Sequence, residues 1–365
     1  MPAPRRRDGA GAVRDRADAC PGAWRRHAAA DGALARFRPV GGAVAAAELR
    51  LLAGAAGNAP LELTSRGSWQ VRGLSDQGAD DLAVALSGVG GEAPLLDAQG
   101  RDVPCSVVAS PRTPAADAPA RVIADALRGR TDVPGRLLVA VDDGSGDVLG
   151  LDADVTVVLG GTLHLAGTPT DVTGDPAALA LAAVEAFLAV RGDAWRVAEV
   201  GADRVLEGLR PGERFGSSER PEPLTRPEAL EVLPRLGEVG AKAAGVLADL
   251  ADEGAVLRAT PWRTVVLRDA PADAVARLDG LVETGRSRWS TLSACVGAPR
   301  CARSHTDVRG DLARAVATGR AGGLLPAHWV GCSRACGTPA GPVAVVEGTP
   351  SGTYRTVVRA GRVSR

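Results

Sequence analysis

The sequence predicts an α+β protein built by internal duplication, and three observations carry that reading. A helix, two alternating strands and a second helix occur first as "AAELRLLAGAAG", "LELTSRGSWQVRGL" and "ADDLAVALSGVG". They recur as "GAKAAGVLADLADEG", "AVLRATPWRTVVLRDA" and "ADAVARLDGLVETG", each strand pair holding a tryptophan, Trp69 or Trp262. Between the copies, a Pro-, Arg- and Glu-rich run from Leu209 to Arg235 interrupts an Ala/Val/Leu-rich chain, as a surface linker does.

In chain order, residues 1–18 form a basic, disordered arm, and 19–90 and 91–208 form the first half and an α/β module. Residues 209–235 are the linker, 236–288 the second half, and 289–365 a second α/β module. In the first module "GRLLVAVDD" and "ADVTVVLGGTLHLAG" are apolar, β-branched strands. "DPAALALAAVEAFLAVR" is a helix capped by Asp175 with Pro176 in its first turn. In the second, "DVRGDLARAVATG" is helical, and "GPVAVVEGT" and "TYRTVVRAG" form a hairpin. A repeat this long is no solenoid; it implies two pseudo-symmetric halves sharing a site.

Composition narrows the function. With 365 residues and 45% hydrophobic content the chain can bury several cores. Its formal net charge of zero removes any bulk electrostatic case for nucleic acid or an anionic membrane. No apolar run is long enough to span a membrane or to act as a signal peptide, so a cytoplasmic location is expected. Lys242 is the only lysine, so almost every positive charge is a guanidinium; coding bias toward GC-rich triplets accounts for much of this.

Six cysteines in a reducing compartment are ligands, nucleophiles or core residues rather than disulfides. Cys20 and Cys105 are single and read as small core residues. The other four form pairs, Cys295 with Cys301 and Cys332 with Cys336. Four thiolates suit a tetrahedral zinc or a 4Fe-4S cluster. The wide, unequal gaps favour the cluster, and Gly297, Ala298, Gly331, Ala335 and Gly337 allow backbone to approach it closely. Zinc and a metal-free cluster of thiols remain as alternatives. "VVASPR" from Val107 lies over "CVGAPR" from Cys295, which puts Val107 and Thr113 in the places of Cys295 and Cys301.

The C-x5-C…C-x3-C pattern, with the duplicated layout, resembles the sulfite and nitrite reductase superfamily, across most of the chain from Cys20 to Val358. Within it, "ACPGAWRRHAAADGALARFRPVGGAV", "VPGRLLVAVDDG" and "GCSRACGTPAGPVAVV" are similar to segments of the precorrin-3B synthase family. The resemblance implies ferredoxin-like half-domains, each followed by an α/β module, and a 4Fe-4S cluster on Cys295, Cys301, Cys332 and Cys336. It implies O2-dependent oxidation of precorrin-3A to precorrin-3B, by C20 hydroxylation with γ-lactone formation. The other branch implies sirohaem-dependent, ferredoxin-linked reduction of sulfite or nitrite, with Cys336 bridging cluster and sirohaem.

Reductases of that branch carry two lysines in a P-R-K-F-K stretch that protonate the bound anion. Here the run is Pro134, Gly135, Arg136, Leu137, Leu138, with arginine and leucine at the lysine positions. The resemblance places Arg36, Arg38, Arg66, Arg72 and Arg136 where the family binds tetrapyrrole carboxylates, a task that suits the guanidinium fork. Arg300 and Arg303 lie beside the cysteines, and His305 and His328 are candidate ligands of a mononuclear non-haem iron associated with the family. No strand leads into GxGxxG, so NADH-derived electrons are expected through a separate donor protein. No residue is singled out as catalytic.

Overall fold

The computed structural model describes residues 18, 20–209, 229–321, 323–339 and 341–359. Most of the expected N-terminal arm and of the linker lies outside these residues. Two ferredoxin-like halves share one core, and an α/β module with its own sheet follows each.

The first half builds a five-stranded sheet in the order His27–Ala29, Gly32–Phe37, Trp69–Leu74, Leu61–Leu63, Glu238–Val239. The last strand belongs to the second half and pairs antiparallel with Leu61 and Glu62. The second half returns the exchange. Its four-stranded sheet, Leu230–Val232, Val265–Arg268, Val256–Ala259, ends on Ala43–Val44 from the first half. Helices Ala46–Ala56 and Ala241–Asp252 pack together over the joint core, in which Phe37, Leu49, Leu52, Trp69, Leu247 and Leu267 are fully buried.

The equivalence of the halves extends to the backbone. Thr64 and Thr260 each open a turn whose N–H bonds the carbonyl four residues on, Ser68 and Thr264, at 3.0 Å. Gly67 and Arg263 then fall in the left-handed region at φ 64° and 65°, and Gly73 and Asp269 at 73° and 54°. This register corrects the tryptophan pairing. Trp69 is a buried strand residue matched by Val265, whereas Trp262 lies in the turn, about a third exposed, at the position equivalent to Arg66.

The first module pairs Ser106–Ala109, Leu138–Asp142 and Val155–Val158 in parallel, then Thr162–Leu165 and Thr168–Thr173 antiparallel. Helix Pro176–Val190 covers it, with Asp175 accepting the Ala178 N–H as an N-cap. The second module is smaller: Leu292–Ala294, Ala327–Val330 and Val343–Gly348 are parallel, and Tyr354–Arg359 completes the expected hairpin. Helix Val308–Ala317 makes the first crossover. Among the described residues no helix is long and apolar enough to cross a membrane.

Candidate functional site

Both cysteine pairs stand in loops at the carboxyl ends of parallel strands, where α/β sheets leave a crevice. Cys295 follows Leu292–Ala294, and Cys332 follows Ala327–Val330 one residue later. The Cys295 N–H donates to the Trp329 carbonyl at 2.9 Å, the Gly331 N–H points at Cys295 Sγ at 3.3 Å, and the His305 N–H reaches the Gly331 carbonyl at 2.8 Å. A Cβ on Gly331 would fall 1.7 Å from Ser304 Oγ, so only glycine lets the two loops close on each other.

Burial pushes the Cys295 and Cys336 thiols up, and the negative charges of Cys332 and Cys301 push Cys336 further. Cys336 acts in turn on Cys295, so Cys336 lies within electrostatic reach of the other three sulfurs. Among the described residues no group of three or more His, Cys, Asp or Glu side chains is placed to hold a metal ion. A cluster spreads its thiolates over its corners, and four thiols in two Gly-rich loops, one of them donating N–H to sulfur, match that donor set.

His328 is fully buried beneath the loop. Its Nε2 donates to the Cys336 carbonyl at 2.9 Å and its Nδ1 accepts from Ser293 Oγ at 2.8 Å. Burial lowers its pKa to about 4. With both ring nitrogens engaged, it braces the Cys336 backbone and has no lone pair free for iron. His305 is exposed and meets the loop through its backbone.

The five sequence-predicted arginines divide by what holds them. Arg38, 5% exposed, bonds Asp102 at 3.0 Å as well as the Val103 and Pro21 carbonyls. Arg72 grips Asp31 with two bonds, 3.0 and 2.9 Å, and donates to the Arg300 carbonyl at 3.0 Å. Both forks are occupied by the protein's own groups. Among the described residues Arg36, Arg66 and Arg136 form no ion pair. Arg36 donates to Gln70 Oε1 (2.9 Å) and lies 3.9 Å from Cys20 Sγ. Arg66 donates to the Arg136 carbonyl (2.8 Å), and Arg136 is exposed and stacks 4.6 Å from the Trp195 ring centroid. Burial lowers the pKa of Arg36 and of Arg66, and neighbouring arginines add to the effect.

A partly buried polar relay joins Arg36 to the cysteine loops. Gln70 takes Arg36 on its oxygen and donates to Glu62 at 2.7 Å. Glu62 pairs with Arg300 at 3.1 Å and with Arg309 at 3.3 Å. Both arginines also hold Glu238, and Arg309 Nε donates to the Cys295 carbonyl. Arg300 is therefore paired with protein carboxylates, while Arg303 is exposed. The sequence reading missed Glu62 and Gln70: Glu62 is a lone carboxylate on the apolar strand Leu61–Leu63, and that interruption was the available signal. Arg263 was missed as well.

Two further expectations change. Cys105 is buried with its pKa pushed up to about 12, as a core residue, but Cys20 lies beside Arg36 rather than in the core. The sulfur-free counterpart of Cys295 is Ser110, not Val107. The Ser110 N–H donates to Val141 O at 2.9 Å and Ser110 Oγ accepts the Asp143 N–H at 3.0 Å, reproducing both bonds of Cys295.

This duplicated α+β architecture has a counterpart among solved structures. A solved structure, that of the Mycobacterium tuberculosis NirA protein, superposes with a TM-score of 0.63 at 20% identity, over 90% of this chain and 74% of NirA. The likeness is one of fold. No family model matches the sequence, and no curated protein does.

Proposed function

We propose that the chain is an oxidoreductase acting on a polycarboxylate tetrapyrrole, and that it oxidises precorrin-3A to precorrin-3B with O2. The observation that carries this reading is the group Arg36, Arg66 and Arg136, unpaired with any carboxylate among the described residues, with Arg36 linked through Gln70 and Glu62 to the cysteine loops. A guanidinium pairs with acetate and propionate side chains but does not release its proton at neutral pH. These residues would orient the macrocycle without supplying protons to a small anion.

Leu138 sharpens the choice of reaction. It is 4% exposed within an apolar cluster with Val108, Ala140, Val148 and Ala153, and its N–H donates to Asp154. The leucine side chain itself has no proton to give. In the proposed reaction one oxygen atom enters at C20 and the other leaves as water, with two electrons and two protons from a reductant. Cys295, Cys301, Cys332 and Cys336 would hold a 4Fe-4S cluster, whose chemistry when bound is one-electron transfer. A separate protein would deliver NADH-derived electrons.

A second reading, sirohaem-dependent reduction of sulfite or nitrite, is favoured by the fold shared with NirA. Anaerobic purification with absorption and EPR spectra separates the two, followed by precorrin-3A, reductant and O2 with mass spectrometry of the product. A cluster signal without sirohaem, and product heavier by one oxygen atom, supports the synthase. Sirohaem bands with turnover of sulfite or nitrite establish the second reading in its place.

A further inference from the structure

Arg263 combines three features that no structural role explains. It occupies a left-handed turn position, φ 65°, where the first half has Gly67, so an arginine stands where the backbone favours glycine. Its backbone N–H donates to the Thr260 carbonyl at 3.0 Å, but its half-buried side chain makes no hydrogen bond or ion pair among the described residues. Burial lowers its pKa, with the charge of Arg309 acting in the same direction. Its guanidinium faces the cysteine loop: a Cβ on Gly337, the residue after Cys336, would lie 3.3 Å from Arg263 Nη2.

A partly desolvated guanidinium with no partner within the protein is left with its fork free for an anion that enters the site. Glu62 is within electrostatic reach of Arg263 but is held by Gln70, Arg300 and Arg309. We infer that Arg263 binds a carboxylate of the tetrapyrrole on the cysteine-loop side of the site, complementing Arg36 and Arg66 from the other half. The inference rests on the tetrapyrrole reading and holds whether the macrocycle is substrate or prosthetic group.

The test uses the full chain and uroporphyrin III, a porphyrin carrying an acetate and a propionate on every ring, titrated by fluorescence quenching. Arg263→Gln and Arg263→Gly are compared with Arg36→Gln and with the unmodified chain. Both Arg263 variants weaken binding roughly ten- to one-hundredfold, the loss of one charged hydrogen-bonded pair. Without porphyrin, Arg263→Gly unfolds at the same temperature as the unmodified chain or higher, because a strained, uncompensated charge has gone. Unchanged affinity in both Arg263 variants, with weakened binding in Arg36→Gln, overturns the inference and leaves the tetrapyrrole reading standing. A lower unfolding temperature with unchanged affinity assigns Arg263 to the fold. Failure of the unmodified chain to bind the porphyrin overturns both.

Discussion

Glu62 and Arg258 occupy equivalent positions in the two halves with opposite charge. Glu62 sits opposite Glu238 of the exchanged strand, and Arg258 opposite Ala43. Each reaches the first turn of a module helix, Glu62 to Arg309 of Val308–Ala317 and Arg258 to Asp117 of Asp117–Leu127. The pseudo-twofold arrangement is kept while the sign of each ion pair is inverted.

Removing one member of such a pair strands a buried charge. Asp117→Ala leaves Arg258 and Arg268, 4% and 5% exposed, without their carboxylate. We expect a loss of about 3–5 kcal/mol in chemical denaturation. Glu62→Ala is expected to cost a similar amount, and also to loosen the Cys295 loop through Arg309.

Ser110 shows that a hydroxyl can take the place of Cys295 without altering the backbone bonds around it. Cys295→Ser should therefore fold, with an unchanged far-ultraviolet circular dichroism spectrum, yet lose most of its iron and acid-labile sulfide. A Cys295→Ser chain that retains full iron content would remove Cys295 from the ligand set.

Arg36, on the strand Gly32–Phe37, and Arg38, just past its end, have different tasks. Arg36→Gln is expected to weaken tetrapyrrole binding with little change in unfolding midpoint. Arg38→Gln is expected to leave Asp102 buried beside a weaker partner and to lower stability by roughly 3 kcal/mol, read from the denaturation midpoint.

Cys105 separates from the other thiols by reactivity. A thiol with pKa about 12 holds almost no thiolate at pH 8, and thiolate is the reactive form. Iodoacetamide at pH 8 should leave Cys105 unmodified in the native chain and label it after denaturation, as followed by peptide mass spectrometry.

The duplication was legible because helix and strand periodicities survive in both halves, and the paired cysteines marked their site by spacing. Register was less legible. Aligning the modules on Pro111-Arg112 and Pro299-Arg300 misplaced Cys295 by three residues, because the fixed point is a strand-end hydrogen bond and the loops beyond it differ in length. The arginines were legible as a class but not singly. Arg36 and Arg38 look alike in sequence, and what separates them is Asp102, 64 residues away from Arg38. Arg263 was hidden by a turn conformation that only the backbone reveals.

The exchange of Ala43–Val44 for Glu238–Val239 bears on the protein's synthesis and ancestry. As the chain leaves the ribosome, the first sheet stays one strand short, its Leu61–Leu63 edge open to wrong partners, until residue 239 has emerged. A single ancestral half could have closed both sheets only by trading strands with an identical copy, as a twofold homodimer. Gene fusion would then have turned a concentration-dependent association into an intramolecular one, and freed each copy to diverge.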